Sequence, residues 1–164
     1  MNSTVYSRQH RDPSRVTAKD QDRSGGEPVR VLVVEDEAFL AELIRLALEA
    51  DGHDCHTAST LATAGEILRS VRIDVLTLDL VMDGRDPFDW LEDTILAQPE
   101  LLGRVFILTG KLLDHDQSMR VHACGAKVVQ KPFTLHQLRE MVRLMAPLGP
   151  LPKESRRGGP VAET

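Results

Sequence analysis

The chain has 164 residues, long enough for one well-buried core and short for two, and 41% of them are hydrophobic, which suits a globular domain. Its net charge of -5 is uneven: residues 29–146 hold 12 Lys or Arg against 19 Asp or Glu, for -7, while 1–28 and 147–164 are each +1. An acidic body without a basic stripe argues against direct nucleic-acid binding, and Cys55 and Cys124 form neither a disulfide framework nor zinc-ligand spacing. No apolar run reaches membrane-spanning length and the first 28 residues never become apolar as a signal peptide would, so a cytoplasmic location is expected.

Residues 1–28 are polar and end in SGGEP, which reads as a disordered extension meeting a domain boundary. Residues 30–35 read as a buried strand, followed by a helical stripe of Phe39, Leu40, Leu43, Ile44, Leu46, Ala47 and Leu48 that DGH stops. A short strand at 54–57 precedes Ser59 and Thr60, which are expected to cap a helix reaching Leu68. Residues 74–79 form a second buried strand, and Phe88, Trp90, Leu91 and Ile95 mark a helix over 87–96. A strand at 104–110, a helix from Leu112 to Ala123, a strand at 127–130 and a helix from Leu135 to Met145 complete the pattern. The folded domain is therefore expected at 29–146, with 147–164 a flexible tail broken by Gly and Pro.

Continuous apolar strands such as VLVV and VFIL need cover on both faces, which intervening helices supply through right-handed crossovers. The expected fold is α/β: a doubly wound, five-stranded parallel sheet with five helices. Ligands of such sheets lie beyond the strand carboxyl ends, where Glu35, Asp36, Asp79, Thr109 and Lys131 fall. Converging carboxylates repel unless a cation relieves them, and oxygen ligands beside a phosphate-bearing group suit Mg²⁺. In that company Asp79 is a candidate nucleophile toward an activated phosphoryl group, with Asp36 and Asp79 on the metal, Lys131 a mobile point charge and Thr109 a hydroxyl donor. The six histidines show no paired spacing and are expected on the surface; Met82 and Trp90 are expected to face the core.

Four segments in order, VLVVEDE at 31–37, LTLDLVM at 76–82, ILTG at 107–110 and QKPF at 130–133, resemble the receiver domain of bacterial two-component response regulators. The resemblance covers nearly all of 29–146 and implies a flavodoxin-like fold. It implies that Asp79 receives the phosphoryl group, that Glu35 and Asp36 form the acidic pair, and that the Val81 backbone carbonyl completes the shell of Mg²⁺. It further implies that Thr109 is the switch hydroxyl and that Lys131 contacts the phosphate and precedes a cis bond to Pro132. The implied donor is a histidine kinase or histidine phosphotransfer protein.

The chain departs from the family's pattern in its Asp83 and Asp86-Pro87 loop, and in Val128, which stands where an aromatic switch residue is usual. An output through a protein target or a second copy is expected on the face of the fourth helix, fifth strand and fifth helix, with Leu112, Leu113, Met119, Val129 and Leu135 as its apolar residues. With no segment after 146 able to fold as an output domain, a stand-alone regulator is expected, without nucleic-acid or membrane contact. A phosphatase of haloacid dehalogenase type is the competing enzyme class, but it wants an aspartate where Val81 stands. A receiver-like module that binds partners without phosphorylation is a third reading.

Overall fold

A computed structural model describes residues 28–145. The expected disordered extension and C-terminal tail lie outside the described residues. Five strands, β1 (Arg30–Val34), β2 (Asp54–Ala58), β3 (Val75–Asp79), β4 (Val105–Thr109) and β5 (Lys127–Gln130), alternate with five helices. The helices are α1 (Ala38–Ala50), α2 (Leu61–Ser70), α3 (Pro87–Ala97), α4 (His115–Ala123) and α5 (Leu135–Met145), with a short 3₁₀ turn at Pro99–Leu101. All strand pairs are parallel, in the order β2-β1-β3-β4-β5. This is the doubly wound sheet that the alternation of apolar runs predicts.

The pleat divides the core into two layers. Leu32, Val34, Leu76, Leu78, Val105 and Ile107 face one side with Leu61, Ala64, Leu68, Phe88 and Leu91 of α2 and α3. Val31, Val33, Val75, Phe106 and Leu108 face the other with Ile44 and Leu48 of α1 and Leu138 and Val142 of α5. Because both faces are covered, neither β3 nor β4 exposes any residue, which is why their sequences lack polar alternation. Arg139 pairs with Asp51 and ties α5 to the turn after α1.

Several local expectations need correction. Phe39 and Leu46 are 71% and 50% exposed, whereas Ala41, Ile44 and Leu48 are the buried residues of α1. At about 100° per residue, Phe39 and Leu46 lie roughly 140° and 160° around the helix from Ile44, so one stripe cannot hold all three. Helix α4 begins at His115 and not at Leu112, because Asp114 and Gln117 form a capping box: Asp114 Oδ1 accepts from Gln117 N–H and Gln117 Oε1 accepts from Asp114 N–H. The D-x-x-Q spacing carried that signal. Val129 is buried in the second core layer while its neighbour Val128 points outward, as strand alternation requires. The exposed large apolar residues on these elements are Leu112 before α4, Met119 of α4, Val128 of β5 and Leu144 of α5.

Among the described histidines, His53 departs from the surface expectation. It is buried, and its Nδ1 accepts from Val29 N–H at 3.4 Å. His56 is partly buried, while His115, His122 and His136 are exposed; His10 lies outside the described residues. Trp90 is buried and Met82 packs partly buried against the first core layer, as expected. Cys55 is half-buried and Cys124 buried, and burial pushes the Cys55 thiol up to about 12.

Candidate functional site

The strand order reverses between β1 and β3, so their carboxyl ends open on one crevice. Glu35 and Asp36 follow β1 directly and Asp79 is the last residue of β3. Carboxylate oxygens of these three residues lie within 4.8 Å of one another. Glu35 and Asp79 are 1% and 4% exposed, while Asp36 stands exposed at the rim. The backbone enforces this: Glu35 N–H donates to Ala58 C=O at 3.0 Å, extending the sheet by one residue, and Asp79 retains its place beside Leu108 of β4. Asp36 does not serve as a helix cap. Glu37 occupies the N-cap of α1 and makes no side-chain capping bond.

Lys131 enters from β5 and divides its ammonium between the two buried acids, donating to Glu35 Oε2 and Asp79 Oδ2, each at 2.9 Å. The other Asp79 oxygen, Oδ1, accepts from Val81 N–H at 2.9 Å. The Asp79 carboxylate is thus held at both ends. Burial pushes the Glu35 carboxyl above the usual range; the Lys131 hydrogen bond draws it back and the Asp79 charge adds to the rise. Burial opposes the Lys131 charge, but hydrogen bonds to Asp79 and Glu35 outweigh it and hold the ammonium above the ordinary lysine value. The Lys131–Pro132 peptide is cis.

Thr109 ends β4, buried, with its hydroxyl engaged by the following loop: Oγ1 accepts from Lys111 N–H at 3.0 Å and donates to Lys111 C=O at 3.3 Å. Val81 is 48% exposed two residues beyond Asp79. The unusual loop after Asp79 has a local purpose at its end. Asp86 caps α3 by accepting from Phe88 and Asp89 N–H at 2.8 and 3.0 Å, and Pro87 fills the first helical position, where its missing donor costs nothing.

Three oxygen donors around a partly compensated negative charge fit a hard divalent cation such as Mg²⁺ better than a soft metal. A single lysine shared by two buried carboxylates leaves the cluster, with Asp36, at a net charge of -2 for three acids and one base. Positive charge is what the crevice lacks. The sequence patterns had not foretold the bond between Lys131 and Glu35, which joins residues 96 apart and exists only once β1, β3 and β5 are in register.

The described residues include no helix long and apolar enough to cross a membrane. The sequence pattern of the response regulator receiver domain matches residues 31–143. The probable transcriptional regulatory protein TcrX of Mycobacterium tuberculosis is 35% identical over 124 residues, which are 76% of this chain and 51% of that protein. The chain spans about half the length of the curated relatives it matches. Among solved structures, a response regulator receiver domain protein from Clostridium thermocellum is similar at 28% identity and a TM-score of 0.63, covering 72% of this chain and 94% of that one. A response regulator from Thermotoga maritima aligns at 25% identity with a TM-score of 0.63, covering 73% and 98%. With its sheet order, its acidic crevice and this match over 31–143, the chain belongs to the receiver domain family of two-component response regulators.

Proposed function

We propose that Asp79 accepts a phosphoryl group from a histidine kinase or histidine phosphotransfer protein in the cytoplasm, with Mg²⁺, and that the domain signals through protein contacts. The observation that carries this reading is the Asp79 carboxylate itself, buried at a strand end, with one oxygen on Lys131 and the other on Val81 N–H. An Asp79 oxygen attacks the phosphorus of a phosphohistidine; the new P–O bond forms as the P–N bond breaks, and the imidazole leaves with the electron pair and takes a proton. Glu35, Asp36 and Asp79, with the Val81 carbonyl, would hold Mg²⁺, whose positive charge offsets the meeting of two anions.

Lys131 keeps the carboxylate oriented before transfer and then has a phosphoryl oxygen to bond instead of Asp79 Oδ2. Thr109 is the group that senses the product. Its single proton points to Lys111 C=O in the structure described, so bonding a phosphoryl oxygen requires it to release that carbonyl. The excess of acidic residues over 29–146 supports output through proteins and not through DNA. The transcriptional role in the name of TcrX belongs to a protein about twice the matched length.

The test is label incorporation from acetyl phosphate with Mg²⁺, followed by a transfer screen against purified histidine kinases and phosphotransfer proteins. Label on wild type, none on Asp79→Ala and none in EDTA is the expected result, with one donor clearly preferred. Label retained by Asp79→Ala would remove Asp79 from the centre. Steady turnover of phosphate monoesters would favour a phosphatase instead.

A further inference from the structure

Helix α4 is weakly anchored by its own sequence. Of its nine residues only Val121 is buried, compared with three in α1, three in α2 and four in α3. A second hold comes from Arg120. Its guanidinium donates to Asp89 Oδ1 at 2.5 Å and Glu92 Oε1 at 2.6 Å, approaches Asp86 Oδ1 at 3.6 Å, and lies over the Phe88 ring at 5.2 Å from the centroid. All four partners belong to the first turns of α3 or its cap.

The fork therefore spans the two loops that leave the site. Asp86 closes the loop that begins after Asp79, and α4 follows the loop 110–114 that begins after Thr109. The capping box at Asp114 joins that second loop firmly to the first turn of α4, so displacement of the loop is passed to the helix. Val128 has no ring to swing between surface and core, and its side chain is already exposed. Loop 110–114 and α4 give Thr109 a route to the surface that needs no ring at position 128.

We infer that Arg120 is a positioning residue for the acceptor site: its fork holds α4 against the start of α3 and opposes the loop movement that Thr109 needs in order to bond a phosphoryl group. This role rests on the reading of Asp79 as phosphoacceptor. A restraint that favours the unphosphorylated arrangement lowers affinity for anything that demands the other one, and its removal raises that affinity.

Beryllium trifluoride with Mg²⁺, a mimic of the phosphoryl group, provides the probe, titrated calorimetrically into wild type and variants, with amide exchange of 115–123 measured on the free proteins. Arg120→Gln should bind about three- to tenfold more tightly and exchange faster in α4. Arg120→Lys, which keeps the charge but loses the fork, should fall between it and wild type. The double variant Asp89→Asn/Glu92→Gln, which leaves only Asp86 and the Phe88 ring to hold Arg120, should reproduce most of the Arg120→Gln effect, and adding Arg120→Gln to it should tighten binding by less than it does in wild type. General loosening of the domain would lower its melting temperature without tightening binding. Unchanged or weaker binding by Arg120→Gln, or unchanged exchange in α4, overturns the role. Failure of wild type to bind the mimic or to take label overturns the acceptor reading first, while the exchange data still report whether Arg120 holds the helix.

Discussion

Lys131→Met tests the electrostatics of the crevice most directly. Removing the ammonium leaves Glu35 and Asp79, 1% and 4% exposed, without the donor that bonds both. Breaking a buried ion pair from one side costs about 3–5 kcal/mol. Protonation sets a ceiling on that cost, because neutralising a carboxyl of ordinary pKa 4.5 at pH 7 takes about 3.4 kcal/mol at 1.36 kcal/mol per unit. The expected loss is therefore about 3 kcal/mol. With a urea slope of about 2 kcal/mol/M, the midpoint should fall by about 1.5 M. Unfolding in EDTA at pH 7 can be followed through Trp90, the single tryptophan and a buried one. Adding Mg²⁺ should return at least half of the loss by restoring a counter-cation. In an Asp79→Asn background the same substitution should cost about half as much, since one of the two charges is gone. A loss below about 1 kcal/mol, or an equal loss in that background, would refute the reasoning.

Three further predictions concern the framework. Thr77 Oγ1 is buried in β3 with no hydrogen-bond partner, so Thr77→Val, nearly the same shape, should stabilise the domain by about 1 kcal/mol, read as a higher urea midpoint. Burial lowers the His53 pKa, with the Asp51 charge opposing, so the folded state binds this proton less readily than the unfolded chain does. Its stabilising contribution is then full above about pH 6.5 and falls as pH drops; His53→Gln should flatten the slope of stability between pH 5 and 7, and an unchanged slope would assign it to other groups. Gly125 has φ +60 and an added Cβ would meet Gly103 Cα at 3.1 Å, so Gly125→Ala should cost about 2 kcal/mol or more in thermal or urea unfolding.

Much of this molecule was legible in the chain because its signals are local. A run such as VLVV reports burial on two faces, and a carboxylate directly after such a run must stand at the sheet's carboxyl edge. Thr60 was readable as a cap, and its side chain accepts from Thr63 N–H. Errors arose where several apolar residues competed for one face, as with Phe39 and Leu46, or where a polar cap overrode apolar neighbours, as Asp114 does to Leu112 and Leu113. The burial of His53 could not be read, since it depends on the chain before β1 passing over the turn after α1.

By itself the sequence determined the alternation of strands and helices, the layered class of the fold and the strand-end positions of Glu35, Asp36, Asp79, Thr109 and Lys131, because periodicity and capping act within a few residues. Only the tertiary structure decided which of those groups meet. Lys131 reaches two acids 52 and 96 residues away, and Arg120 crosses to carboxylates on α3 that no local pattern links to it. Such pairs are set by sheet order and helix placement, which local propensity does not encode.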